Sequence, residues 1–275
     1  MASKYQTAPP SSPHFRISSL APSILLVMID RPKSLNALRI TDHFALDSIF
    51  NWFDTEPSLN VAIITGNGPA FCAGADLKEW KQNIESGSSV IDTSPRTGFG
   101  GLSRRVGKKP IIAAVNGICY GGGFEMVINA DLVIADEAAQ FALPEVKIGV
   151  AAIAGALPRL VRTVGRQRAM EICLTGRTLS AAEIREWGIV NTVVKNGECV
   201  AEALRMAQLI CQNSPDSVIC SKEGINLGWE KVSAEEGTES LIRGTFMRMN
   251  NGKNMAEGVK SFLEKRNPVW IPSKL

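Results

Sequence analysis

The chain has 275 residues, 45% of them hydrophobic and 21% charged, with a formal net charge of +3. That composition supports one large core in one main domain. The small charge excess demands neither a nucleic-acid nor a membrane partner, although it is compatible with a weak preference for acidic ligands, and every long apolar run is broken before it could span a bilayer. The six cysteines, at 72, 119, 173, 199, 211 and 220, show no CxxC spacing and lie mostly in apolar segments, so they read as reduced core residues. The only histidines are His14 and His43, which leaves a catalytic thiol or a zinc site without partners.

Residues 1–13, MASKYQTAPPSSP, read as a mobile leader without the apolar core of a secretory signal or the repeated arginines of a mitochondrial presequence. Ile24–Ile29 reads as a strand ending at Asp30-Arg31-Pro32, and an amphipathic helix follows from about Thr41, a candidate cap, to Asp54. Val61–Thr65 is the next strand. It leads through a Gly66-Asn-Gly68-Pro turn to Ala70-Phe-Cys-Ala73-Gly74-Ala75-Asp76-Leu77 and a helix over Leu77–Ile84. Small residues at 73, 74 and 75 let a ligand lie against the backbone, and Asp76 stands as the helix N-cap. Taken alone, that segment is also an ordinary capped turn. Residues 85–108, rich in Ser, Gly and Thr, suit a mobile loop over a site or a plain connector equally well.

The chain is organised around residues 109–145. Ile111–Val115 is a buried strand that empties into a glycine-rich turn, Gly117 and then Gly121-Gly122-Gly123, opening onto a helix from Phe124 to Asn129. Free N–H groups at such a turn can hold an oxyanion. Glu125 lies in the first helical turn, and Glu145 follows a further strand, Leu132–Ala135, in Phe141-Ala-Leu-Pro-Glu145. A glycine triplet is most often a packing feature and a first-turn glutamate most often a surface residue. Here both acids have apolar neighbours, and a buried carboxylate needs partners or a task. Two strand-turn-helix exits, at 73–76 and 121–123, would aim N–H donors at one point if their strands lie parallel in one sheet. Beyond Glu145 the chain predicts helices over Pro158–Val164 and Gln167–Leu174, a short strand over Ile189–Val194, a helix from Cys199 to Asn213 and a helical last third.

The pieces Asp30-Arg31-Pro32 with Leu35-Asn36-Ala37-Leu38, Ala70 to Leu77, Lys109 to Gly117 with Gly121-Gly122-Gly123, and Phe141 to Glu145 resemble the enoyl-CoA hydratase/isomerase (crotonase) superfamily. The likeness runs from about 15 to 270 and includes Leu174-Thr-Gly176-Arg-Thr-Leu-Ser180-Ala181 and Glu257-Gly258 with Phe262 to Arg266. It implies an α/β fold of the ClpP/crotonase type, repeated ββα units in a spiral core over 14–200, with a helical trimerisation region over 201–272. By similarity, the N–H groups of Ala75 and Gly122 form the hole for the acyl-CoA thioester oxygen. Backbone around Ala37, Ala73, Asp76 and Leu77 receives coenzyme A, and Phe262 and Lys265 match tail residues that help hold its nucleotide, within the subunit or from a neighbouring one. The resemblance assigns Glu125 as base toward water and Glu145 as acid. It implies a homotrimer or homohexamer, no metal, and no cofactor beyond the coenzyme A carried by the substrate.

One departure from the family pattern stands out. Where family hydratases follow the second glutamate with a Pro-Gly-Ala-Gly-Gly type turn, this chain has Ala151-Ala152-Ile153-Ala154-Gly155, and Ile153 falls at a glycine near the catalytic water. A bulky aliphatic side chain there is expected to shorten or redirect the acyl pocket. Retention of both glutamates favours hydration of a 2-enoyl-CoA, as in β-oxidation or a related acyl-CoA pathway, over the isomerase and thioester hydrolase activities of the same superfamily. A non-catalytic RNA-binding relative fits less well, because no lysine-rich helix is present. The last three residues, Ser273-Lys274-Leu275, form a peroxisomal address that an import receptor would read.

Overall fold

The computed structural model describes residues 5–85, 94–230 and 232–275. Among the described residues, ten strands form two sheets. The larger has the order β1 (Phe15–Ala21), β2 (Ile24–Ile29), β3 (Val61–Gly66), β5 (Ile111–Val115), β7 (Leu132–Asp136), β10 (Thr192–Val194); the smaller has β4 (Ala70–Cys72), β6 (Ile118–Tyr120), β8 (Gln140–Ala142), β9 (Leu179–Ser180). Between α1 (Ile40–Thr55) and the C-terminal helices the chain repeats one unit. β3-β4-α2 (Leu77–Glu85), β5-β6-α3 (Gly122–Ile128) and β7-β8-α4 (Ala156–Val164) each send a first strand to the large sheet and a second to the small one. This is the spiral of ββα units expected from the sequence.

The large sheet is apolar on both faces, so its strands read as continuous hydrophobic runs. Alternate residues serve two cores. Leu25, Val27, Ala62, Ile64, Ala113 and Val115 face the main core with Phe50, Phe53, Phe124 and Phe141. Ile24, Leu26, Val61, Ile63, Ile112 and Ala114 face α7 (Cys199–Cys211) through Cys199, Ala203 and Ala207. Asp136 fixes the start of α7 by accepting from the N–H groups of Gly197 and Cys199, each at 2.9 Å. The boundary expected at 200/201 therefore falls inside a helix of the core. The helical region proper begins with α8 (Pro215–Glu230) and continues through α9 (Ala234–Leu241), α10 (Met247–Asn250) and α11 (Lys253–Leu263). α5 (Arg166–Thr175) and α6 (Ala181–Glu186) complete the small-sheet side.

The structure corrects several sequence expectations. The leader is docked from Tyr5 onward: the Tyr5 ring meets Trp52 edge-on at 5.1 Å, and Glu56 accepts from the N–H groups of Gln6 and Thr7 at 2.9 and 2.8 Å. Residues 1–4 lie outside the described residues. Thr41 does not cap α1; Asp42 does, reaching back to the Arg39 N–H at 2.9 Å. Five strands went unread, because β4, β6 and β8 have three residues each, β9 has two, and β1 is half exposed. Of the segment 85–108, residues 86–93 lie outside the described residues. The rest is a connector built into the core, with Phe99, Gly100, Gly101 and Ser103 all buried. No helix of the described residues is long and apolar enough to cross a membrane.

Candidate active site

β4, β6 and β8 are parallel neighbours, so their C-terminal ends open on one edge of the small sheet. Ala73-Gly74-Ala75-Asp76 leaves β4, Gly121-Gly122 leaves β6, and Leu143-Pro144-Glu145 leaves β8. The converging exits expected from the sequence thus exist, on the small sheet rather than directly after Ile111–Val115. A parallel bridge aims the first exit: the Leu38 N–H donates to Gly74 O and the Asp76 N–H to Leu38 O, both at 2.9 Å. Alternation along an extended strand then leaves the Ala75 N–H on the opposite side from Leu38. Gly122 opens α3, so its N–H has no acceptor within the helix. A methyl group on Gly74 would lie 3.5 Å from the Gly122 nitrogen, which places the two turns against one another. A methyl on Gly122 would lie 2.4 Å from the Phe99 ring, so only glycine fits beneath that ring.

Both carboxylates flank these turns. Glu125, in the first turn of α3, is 3% exposed and its Oε2 accepts from the Ala156 N–H at 2.9 Å. The Ala154 and Gly155 amides also support it. Burial, with the Glu145 charge adding to it, pushes the Glu125 carboxyl up to about 7 against the opposing pull of the amides. Glu145 enters a 3-10 turn, Pro144–Ile148, and its Oε1 lies 3.1 Å from the position a methyl on Gly121 would take. Burial raises its carboxyl above the ordinary range as well. Its Oε2 is buried and has no hydrogen-bond partner among the described residues, which marks an acid available for work. The Cys173 thiol on α5 is pushed up to about 11, by burial first and then by the charges of Glu145 and Glu125, so both acids face the same space.

The backbone expected to take coenzyme A is drawn together. The Ala73 N–H donates to Leu35 O at 3.0 Å, and Arg31, 8% exposed, binds Asp76 Oδ2 at 3.0 Å and the carbonyl of Ala37. Asn36 locks the same loop, donating to Asn67 O at 2.9 Å and Ala70 O at 2.6 Å. Asp76 Oδ1 accepts from the Lys78 N–H at 3.2 Å, the expected cap, while the Leu77 side chain projects outward. Ile153 is 68% exposed in the turn between Glu145 and α4. Backbone geometry explains this, since the turn bends so that the amides of 154–156, not the side chain of 153, face Glu125. Phe262, 83% exposed, and Lys265, at φ 54°, lie at the far end of α11, and no contact among the described residues links them to the three turns. Cavities of about 250 and 270 Å³ lie elsewhere, lined by neither acid. Donors and acids locate the chemistry. Phe99, Ser103 and Arg31 carried no expected role; the Gly98, Gly100 and Gly101 cluster around Phe99 was the available sign of a tightly packed turn.

Residues 20–272 match the family model for enoyl-CoA hydratase/isomerase. The chain is 51% identical to a mevalonyl-coenzyme A hydratase of Beauveria bassiana, over 97% of this chain and 98% of the relative. It is 50% identical to a mevalonyl-coenzyme A hydratase of Aspergillus fumigatus (94% and 95%), and 38% identical to a carnitinyl-CoA dehydratase of Salmonella heidelberg (90% and 94%). An enoyl-CoA hydratase from Mycobacterium tuberculosis superposes with a TM-score of 0.85 at 32% identity, covering 95% of this chain and all 100% of that one. The crotonase fold, the ordered motifs and the paired acids agree with these likenesses across nearly the whole length. The chain belongs to the enoyl-CoA hydratase/isomerase family, and its activity is of the enoyl-CoA hydratase type.

Proposed function

We propose that the chain is a hydro-lyase interconverting a branched, oxygenated 3-hydroxyacyl-CoA, mevalonyl-CoA or a close analogue, with the corresponding 2-enoyl-CoA. One observation carries the reading: three parallel strand ends bring two amide-bearing turns and Glu145 to the face where Glu125 is buried. The half-identity to two mevalonyl-coenzyme A hydratases supports the choice of substrate class. In dehydration, one carboxylate takes the C2 proton and a carboxylic acid protonates the hydroxyl leaving C3 as water. The Ala75 and Gly122 amides hold the negative charge that develops on the thioester oxygen. In hydration the same steps reverse, with Glu125 as base toward water and Glu145 delivering the proton at C2.

The pair therefore needs a single proton in either direction. With the Glu125 carboxyl at about 7, the free enzyme carries that proton on Glu125 below neutrality. This is the protonation state from which dehydration starts, and from which hydration is reached by moving the proton to Glu145. The rate constant kcat/KM should be bell-shaped, with its alkaline limb near 7 as Glu125 ionises and its acid limb where Glu145 is protonated.

The deciding experiment is a panel of acyl-CoA thioesters of graded length and branching, followed by conjugated-thioester absorbance and product mass. Loss or gain of one water with coenzyme A retained, fastest for a 3-hydroxy-3-methyl acyl group, supports the reading. Release of free thiol, or no interconversion, contradicts it. The proposal extends to assembly and address. Exposed Ile225, Ile242, Met247 and Val259, with Phe262, on the C-terminal helices suit a homotrimer or homohexamer, which sedimentation would reveal. Ser273-Lys274-Leu275 suits an import receptor of the peroxisome. In the structure Ser273 and Leu275 are half-buried and Lys274 is exposed: Lys108 Nζ donates to Leu275 O at 3.1 Å and Ser273 bonds Asp216. No cofactor is required beyond the substrate's own coenzyme A.

A further inference from the structure

Glu125 is held by a turn that is not part of any regular element. Residues 151–155 lie between two short helical elements, yet the amides of 154, 155 and 156 must converge on one carboxylate. Gly155 sits at φ 132°, and a methyl there would come within 2.7 Å of Arg104 Cγ and 2.8 Å of Ser103 O. The turn is thus pressed against residues 103 and 104. Ser103 is fully buried, and its hydroxyl makes two bonds at once: Oγ donates to Ala154 O at 2.6 Å and accepts from the Phe99 N–H at 2.8 Å. Phe99 is the ring that closes over Gly122. One hydroxyl consequently joins the turn that grips Glu125 to the turn that fixes an oxyanion donor.

We propose that Ser103 is a positioning residue for the hydro-lyase reaction, its hydroxyl keeping the Ala154–Ala156 amides on Glu125 in register with the Gly122 N–H. This rests on the reading of Glu125 as a catalytic acid–base group. Arg159 also braces the turn, its Nε donating to Asn129 Oδ1 at 2.8 Å and its Nη1 to Gly155 O at 3.2 Å. That contact holds position 155, but it leaves the carbonyl of 154 to Ser103. Without the hydroxyl, Ala154 O and the Phe99 N–H lose a shared partner in a buried place, and each backbone segment shifts to seek another. The amides then meet Glu125 less squarely, its anion is held less well, and its carboxyl rises further.

The test compares the wild-type enzyme with Ser103→Ala and Ser103→Thr, measuring kcat, KM and the pH dependence of kcat/KM, with Glu125→Gln as the reference. Ser103→Ala should lower kcat about tenfold. Its KM should change less than about twofold, because the bonds lost touch the reacting end and not the coenzyme A backbone. Its alkaline limb should move upward by roughly half a pH unit or more. Ser103→Thr, which keeps the hydroxyl, should restore both. If Ser103→Ala fails to fold, Ser103→Cys, with similar volume and a weaker donor, carries the same comparison and the same expectations. A folded Ser103→Ala enzyme with wild-type kcat and an unmoved limb overturns the proposal, as does a Ser103→Thr enzyme equally impaired. If Glu125→Gln is nearly inactive in that same experiment, the acid–base reading survives and only the role of Ser103 is lost. An active Glu125→Gln enzyme overturns both.

Discussion

Replacing Glu125 by Gln should stabilise the protein while abolishing its activity, and the gain should depend on pH. The folded protein keeps the Glu125 proton up to about 7, whereas the unfolded chain releases it near the ordinary 4.5. Between those values the unfolded state binds fewer protons, so wild-type stability falls as pH rises through the window and levels off above it. At about 1.4 kcal/mol per pH unit the full difference comes to about 3 kcal/mol, and the 3% exposure of Glu125 leaves little solvent to screen it. Glutamine is close in size, carries no charge, and still offers its Oε1 to the Ala156 N–H, so the variant escapes this loss. Urea unfolding of both proteins at pH 5 and pH 8.5, at fixed protein concentration, should give a small difference at the lower pH. At the higher pH the variant should lead by about 2–3 kcal/mol. A difference that is the same at both pH values, or that favours the wild type at pH 8.5, would refute the placement of the proton on Glu125.

Glu145→Gln should lower turnover at least ~100-fold, since one of its oxygens, Oε1, lies against the turn of Gly121 while the other, Oε2, is buried without a partner; steady-state assay on the preferred thioester checks this. Gly122→Ala should cost about 100-fold or more in kcat and about 1–3 kcal/mol in stability, because the added methyl meets Phe99; the two losses separate in paired kinetic and unfolding measurements. Deleting Ser273 to Leu275 should release a fluorescently tagged protein from peroxisomes to the cytosol, and an unchanged punctate pattern would remove that assignment.

Much of the fold was readable where residues carry strong local signals. The apolar runs of β2, β3, β5 and β7 are buried on both faces, and the helices α1, α4, α5 and α7 begin and end within two residues of their expected bounds. The short strands were not readable, because three residues such as Ala70–Cys72 or Ile118–Tyr120 hold too little periodicity to distinguish a strand from a turn. That gap mattered for the site. The glycine turns and both acids stood out by type and company, but their meeting depends on the small sheet, which only the three-dimensional pairing of β4, β6 and β8 creates. Ser103 was hidden for a related reason. A serine in a Ser- and Gly-rich stretch looks like solvated loop, and nothing local reveals that its hydroxyl will be fully buried against a carbonyl 51 residues away.

The most direct measurement is exchange at C2. Each enzyme is incubated in D2O with the 3-hydroxyacyl-CoA, and deuterium uptake at C2 and loss of water are followed together by mass spectrometry. Wild-type enzyme should do both. Glu125→Gln should still exchange the C2 proton, since Glu145 and the two amides remain, but should fail to expel water. Glu145→Gln should do neither. A Glu145→Gln enzyme that exchanges C2 at the wild-type rate would contradict the division of labour between the two carboxylates.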